Sequence, residues 1–298
     1  NGKIEKVDIS TQISNSYKHS HTYNQNYMPK LPNNNNNNNN QMAYQYYGYS
    51  NVNQQSNELN ILLQQSRMYN SPMCKFEVVS DSSLGAAKNL VQNSHFKTCI
   101  LNFASPKKPD SGFLGGFLSQ ENAFLRQTSL YSTIKNSPMY RDNSSLSNNM
   151  YSDSMVYSSR VPVFRSSYYE RLFSKHEVYE VSFVSAAAPV LPATNTNNMN
   201  NKRMIVYNPN MKNAQNILMN RVRKMIMVAI ENNNNALVIG IYGNQLFDNS
   251  QTSVLTSVFS QVLKNDGLGK YFIKVVFALF VKDSHSNEMF KQFSASFS

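Results

Sequence analysis

The sequence predicts an α/β domain built on a largely parallel or mixed sheet and preceded by a disordered, asparagine-rich tail. Three observations predict it. From about Ser56 onward, short apolar runs bounded by Pro, Gly and Asn alternate with segments whose apolar residues recur at helical spacing, the pattern of strands joined through helices. Before Ser56 no apolar periodicity is sustained, and Asn33 to Asn40 is an unbroken asparagine tract followed by Tyr44, Tyr46, Tyr47 and Tyr49. A length of 298 residues leaves room for one large domain and such a tail. The expected division is a low-complexity tail over residues 1–55 and one domain over residues 56–298. The tail buries too little apolar area to offset its chain entropy, and His19 and His21 within it are expected to be bystanders rather than metal ligands.

Within the domain, Asp81 or Ser82 is placed to cap a helix running through Leu84, Ala87 and Leu90. Thr98 to Ala104 is a short apolar run suited to a buried strand, followed by a loop with Pro106, Pro109, Gly112, Gly115 and Gly116. Gln120 to about Ile134 reads as one helix with Phe124, Leu125, Thr128 and Tyr131 inward, and the polar stretch Ser137 to Ser154 as a mobile excursion. Arg160 to Phe164 and Val178 to Ala186 resume strand character, and Asn195 to Asn201 is a polar loop. Lys212 to Glu231 carries Ile217, Leu218, Val222, Met225 and Ala229 at helical spacing, and Val254, Leu255, Val258, Phe259 and Val262 repeat the pattern between strands at 236–242 and 272–281.

Only 15% of residues are charged, so the chain's polarity comes from Asn, Ser, Gln and Tyr. The net charge of +11 favours polyanions in general, but no Lys/Arg cluster focuses it; it traces to a scarcity of Asp and Glu, and direct nucleic-acid binding is not expected. Two cysteines, Cys74 and Cys99, form neither a disulfide framework nor a CxxC or Cys/His zinc pattern. A reducing compartment, cytoplasmic or nuclear, is the simplest expectation, with no metal and no cofactor. The most apolar run, Phe272 to Val281, contains Lys274 and is too short to span a bilayer, and no signal peptide is recognisable. The first residue is Asn1 rather than Met, as in a fragment. A monomer is expected.

The chemically richest segment runs from Leu101 to Tyr131: a strand, a glycine-bearing loop and a helix N-terminus, in that order. Such an arrangement aims backbone N–H groups and a helix dipole at an anionic or sugar ligand. By itself it is equally the pattern of an ordinary turn. His95, His176 and His285 have no triad-like spacing, and Cys99, inside a strand, reads as buried rather than nucleophilic.

The full string resembles the signature of the microbial-type poly(ADP-ribose) glycohydrolases, in which an NFAS-like strand leads to a triple-glycine loop and, after a fixed spacer, to Gln-Glu-Glu. Here the strand reads Asn102-Phe-Ala-Ser105, the loop Asp110-Ser111-Gly112, and the acidic motif Gln120-Glu121-Asn122, with Arg126 and Ser129-Leu-Tyr131 also agreeing. Tyr157 to Arg165, Val184 to Pro189, and Gly240 to Asn249 are similar to later family segments, so the resemblance covers about Ser56 to Phe297. It implies a three-layer α/β/α macrodomain-like sandwich on a mixed sheet, with a cleft for ADP-ribose at the strand ends. Contacts are expected from Asn102, Phe103, Asp110, Ser111, Gly112 and Gln120, and from Gly240, Tyr242, Gly243, Asn244, Gln245 and Phe247 of a second glycine loop that wraps the diphosphate. In the family the counterpart of Asn102 orients the distal ribose, and the second glutamate of the acidic motif protonates the departing ribose oxygen.

This chain departs from the family at that second glutamate. Asn122 takes its place, and a carboxamide donates hydrogen bonds but delivers no proton. Asp110 and Ser111 stand for two glycines, and Gln245 for another. The expected function is therefore recognition of ADP-ribose, poly(ADP-ribose) or ADP-ribosylated proteins with weakened or lost hydrolysis. The alternatives are an active glycohydrolase using Glu121 as its acid and an interaction protein that has kept the fold without the ligand.

Overall fold

The structure, a computed structural model, describes residues 7–32, 74–117, 119–147, 149–166, 171–190, 195–197, 203–205, 209–240 and 252–297. In chain order these form α1 (Ser10–Lys18), β1 (His21–Tyr23), β2 (Lys75–Val79), α2 (Ser83–Ser94), β3 (Thr98–Ala104), α3 (Gln120–Gln127), α4 (Leu130–Ile134), α5 (Pro138–Ser144), β4 (Met155–Val163), β5 (Tyr179–Ala187), β6 (Asn195–Asn197), β7 (Arg203–Ile205), α6 (Pro209–Glu231), β8 (Ala236–Gly240), α7 (Thr252–Ser260), β9 (Lys274–Ala278) and α8 (Ser284–Phe297). A short 3₁₀ turn, Phe113–Gly115, lies in the loop after β3, and α7 runs on into a π-helical turn, Gln261–Asn265.

Seven strands make one mixed sheet in the order β1-β4-β5-β3-β8-β9-β2. The five from β5 to β2 are parallel, and β4 and β1 add antiparallel pairings on one side. β3 lies at the centre, which accounts for its near-continuous apolar sequence: a parallel strand covered by helices on both faces has no polar side. Its side chains alternate between two cores. Cys99 and Leu101 join a cluster with Leu218, Val222 and Met225 of α6 and with Phe259 of α7, whereas Ile100 and Ala104 join one with Leu84 and Ala87 of α2 and Phe124 of α3. Helices α2 to α5 thus cover one face and α6 to α8 the other, the three-layer α/β/α arrangement.

Local signals place the helix ends. The Ser82 hydroxyl accepts from Gly85 N–H at 3.0 Å to cap α2, and His95 in a left-handed conformation (φ 54°) closes it. At the other end of the chain, α8 docks through Phe293 and Phe297, whose ring centroids lie 5.1 and 4.3 Å from that of Phe277 in β9.

Four expectations need correction. Residues 10–18 and 21–23, assigned to a disordered tail, fold as α1 and as the edge strand β1, with His21 to Tyr23 paired against Tyr157 to Met155. The stretch just after β1 is fastened by polar contacts: Lys224 Nζ donates to the carbonyls of Asn24 (2.8 Å) and Gln25 (3.2 Å), and Tyr27 Oη donates to Glu231 Oε1 at 2.6 Å. No hydrophobic period records such contacts. The asparagine tract and the rest of residues 33–73 lie outside the described residues.

The helix expected over 120–134 is two helices, because Thr128 turns extended and bridges Val163 of β4. The excursion expected at 137–154 is an ordered segment containing α5. The buried Arg221 guanidinium anchors it, donating to the carbonyls of Met150 and Tyr151 and to Asp153 Oδ1. Last, the polar loop expected at 195–201 carries β6, which pairs with β7.

Candidate functional site

Because β3, β5 and β8 are parallel, their C-terminal ends share one edge of the sheet, where ligands bind in open α/β folds. The helices that follow parallel strands begin at that edge too, so the positive ends of α2 and α3 meet there. Gln120 at the start of α3 donates from Nε2 to Ser83 Oγ at the start of α2 (2.9 Å). Both side chains cover Gly240, the last residue of β8, where a β-carbon would fall 1.8 Å from Gln120 Nε2 and 2.0 Å from Ser83 Oγ. Only glycine leaves that room.

Asn102, next to the end of β3, shares a face with Ile100 and Ala104 and is buried on the α3 side. Its Nδ2 reaches Ser185 Oγ on the neighbouring strand (3.1 Å) and Glu121 Oε1 on α3 (3.3 Å). As the chain leaves β3, the Ser105 N–H donates to Glu121 Oε2 at 2.8 Å. A run of turns follows, with Ser111 N–H to Lys108 O (3.1 Å) and Phe113 N–H to Asp110 O (2.7 Å). Ser111, Gly112 and Gly116 all have positive φ, of 47°, 80° and 80°. Glycine does this freely, but Ser111 does not, at a cost of about 1 kcal/mol or more. Its side chain lies on the Glu121 side of the loop, and the Ser105 N–H bond to Glu121 ties the start of the loop to the start of α3.

Glu121 is 4% exposed. Burial pushes its carboxyl up to about 7, and the charge of Asp110 adds to that, while the hydrogen bonds from Ser105, Ser111 and Asn102 oppose it. Asn122 is 1% exposed; its N–H donates to the capping Ser119 hydroxyl at 3.1 Å, and its side-chain Oδ1 has no hydrogen-bond partner among the described residues. Tyr140 on α5 faces the same cluster with a buried hydroxyl that also lacks a partner among the described residues. Burial holds that phenol above its ordinary range, reinforced by the charges of Glu121 and Asp110. Native interiors rarely leave such atoms unpaired, which singles out these two, both close to the Glu121 carboxyl.

Asn102, Asp110, Ser111, Gly112, Gln120, Glu121, Asn122 and Gly240 therefore converge at one edge of the sheet. Phe103 does not join them. Strand alternation turns it to the opposite face, where it packs against the core beneath α6 and α7. Tyr242, Gly243, Asn244, Gln245 and Phe247 lie outside the described residues. Tyr140 was missed by the sequence reading because its segment is polar; the Ser137-Pro138 pair, a helix start with Pro in the first turn, was the available signal. Among the described residues no three His, Cys, Asp or Glu side chains form a group that could hold a metal, and no helix is long and apolar enough to cross a membrane.

The fold and this edge define a macrodomain-like α/β sandwich with a buried carboxyl at a helix N-terminus. The chain belongs to the family described as microbial-type PARG, catalytic domain, whose model matches residues 1–166 and so includes β1, β3 and the loop into α3. Among solved structures it is similar to the poly(ADP-ribose) glycohydrolase of Thermomonospora curvata, with 23% identity and a TM-score of 0.73 over 98% of this chain and 90% of that one. The same protein bound to the inhibitor ADP-HPD gives 23% and 0.70 over 97% and 89%. The poly(ADP-ribose) glycohydrolase of Deinococcus radiodurans in complex with ADP-ribose gives 22% and 0.69 over 95% and 96%. At these identities the likeness establishes the fold. A search of curated protein sequences returned no match.

Proposed function

We propose that the chain binds an ADP-ribose unit, free, at the end of poly(ADP-ribose) or on a modified protein, in the cleft at the ends of β3, β5 and β8, and that it hydrolyses the ribose–ribose bond weakly or not at all. The observation that carries this reading is Asn122, a buried carboxamide beside Glu121 whose Oδ1 has no partner among the described residues. It lies in the family signature where the second glutamate is expected. There it can accept a hydrogen bond from a ribose hydroxyl but cannot protonate a leaving oxygen. Losing general acid assistance costs about a hundredfold to ten-thousandfold in rate. Solved relatives crystallised with ADP-ribose or ADP-HPD support the choice of ligand.

A second reading, hydrolysis with Glu121 as the acid, is favoured by a carboxyl raised to about 7, which is about half protonated near neutral pH. In that reaction the Glu121 proton passes to the bridging oxygen as its bond to the distal ribose C1″ breaks. Water then adds to the oxocarbenium-like carbon and returns a proton to the carboxylate. Against it, both Glu121 oxygens already accept hydrogen bonds, Oε2 from Ser105 and Oε1 from Asn102, which hold the group in the wall of the site.

Calorimetric titration with ADP-ribose beside a chain-cleavage assay tests both readings. Binding without cleavage is expected. Cleavage that is abolished by Glu121→Gln would establish the second reading, and absence of binding would leave an interaction protein on this fold.

A further inference from the structure

We propose that the loop over residues 105–117 carries a second ligand subsite, in which the exposed ring of Phe117 stacks on the adenine of the next ADP-ribose unit and Lys107 and Lys108 meet its diphosphate. This rests on the reading of the Glu121 pocket as the place of the terminal ribose.

Phe117 is 69% exposed, and Leu114 beside it 71%. A large apolar side chain left in water is most informative when it is held rigidly, and Phe117 is held. Its N–H donates to Gly112 O at 3.2 Å, and its carbonyl accepts from Arg126 Nη1 at 3.0 Å. The ring lies against two glycines: a β-carbon on Gly112 would be 3.0 Å from its Cδ2, and one on Gly115 3.7 Å. Backbone supports the ring from below and leaves most of it open, a platform with little side-chain entropy to lose on binding.

Its position fits one occupant. The loop that carries it leaves β3 through Ser105, whose N–H donates to Glu121 Oε2 at 2.8 Å, and Ser111 before Gly112 lies near the same carboxyl, so the platform stands on the loop beside Glu121. In poly(ADP-ribose) the terminal ribose is bonded to the adenosine ribose of the next unit. A chain with its last ribose beside Glu121 and Asn122 therefore emerges with an adenosine at that loop. Lys107 and Lys108 precede the turn closed by Ser111 N–H, are exposed, and make no salt bridge among the described residues. The only carboxylate of that turn, Asp110, acts inward on Glu121 and Tyr140. An exposed aromatic face and two exposed lysines on one loop match a base and its diphosphate, by the same pairing of stacking and charge that binds single-stranded nucleic acid. A purely apolar protein partner would have no use for the lysines.

The test is calorimetry on the full chain with ADP-ribose and with a two-unit ADP-ribose chain, whose integrity is followed by chromatography. The native protein is expected to bind the two-unit chain more tightly. Phe117→Ala should weaken that binding roughly five- to a hundredfold while leaving ADP-ribose unchanged, and Phe117→Trp should restore it. Replacing Lys107 and Lys108 by Ala should reduce the salt dependence of two-unit binding alone. Equal affinity of the native protein for both ligands, or a Phe117→Ala variant that keeps the preference, overturns the subsite and leaves the ADP-ribose reading standing. Binding of neither ligand overturns both.

Discussion

The carboxamide of Gln120 fills the space a side chain at Gly240 would need, with Nε2 only 1.8 Å from an added β-carbon. This contact joins the loop that follows β3 to the end of β8, more than a hundred residues later in sequence. Gly240→Ala must displace Gln120 and the Ser83 hydroxyl and break the bond between them. Because the displaced atoms end flexible side chains, the fold should survive with a loss of about 1–3 kcal/mol in urea unfolding. The displaced Gln120 should also weaken ADP-ribose in calorimetry. A variant with unaltered stability and affinity would refute the close packing at this junction.

Glu121 gives the protein a characteristic pH dependence. Its folded carboxyl, at about 7, lies above the ordinary value of 4.5, so between those values the folded state holds a proton that the unfolded state has released. Stability from this group is full below pH 4.5 and is lost as the pH rises through 7. The shift corresponds to a change of about 3 kcal/mol. Unfolding at pH 5 and pH 8 should show the native protein losing stability at the higher pH, and Glu121→Gln losing much less. Equal pH dependence in the two proteins would remove Glu121 as the cause.

Arg221 holds the segment that ends in β4. It is 1% exposed and donates to the carbonyls of Met150, Tyr151 and Ala187 and to Asp153. Arg221→Met keeps the stem but strips three carbonyls and a carboxylate of their donor. Removing one partner of a buried ionic group typically costs about 3–5 kcal/mol. Chemical denaturation should show a loss of that size, with hydrogen exchange rising first over residues 149–154. A change under 1 kcal/mol would mean that water or a neighbouring group takes over those acceptors.

What the sequence made legible was whatever hydrophobic period or a short motif encodes. The strand at Thr98, the helices carrying Leu218 and Val258, and the juxtaposition of Asn102 with Glu121 all follow from such signals. What it hid is held by single polar contacts between distant residues. β1 is three residues long, and the segment after it is fastened by Lys224 and Glu231; α5 sits in a polar run yet buries Met139 and Tyr140. Phe103 was assigned to the site with its neighbour Asn102 although the period of a strand separates adjacent side chains onto opposite faces. That rule alone, applied to residues 102 and 103, would have removed it.

The sharpest prediction concerns Asn122→Glu. If this amide is what limits hydrolysis, restoring a carboxyl should raise chain cleavage by about a hundredfold to ten-thousandfold, since that is the usual worth of a positioned general acid. The environment favours a protonated acid there: the position is 1% exposed and adjoins the Glu121 carboxyl. The gain should follow a protonated group, greater at pH 6 than at pH 8. It should also persist in a Glu121→Gln background, whose side-chain oxygen still accepts from Asn102 but which holds no acidic proton, because the new carboxyl would carry the proton. A folded Asn122→Glu protein that binds ADP-ribose normally and cleaves no faster than the native chain would show that the limit lies elsewhere, in the Asp110-Ser111 turn where the family has glycines.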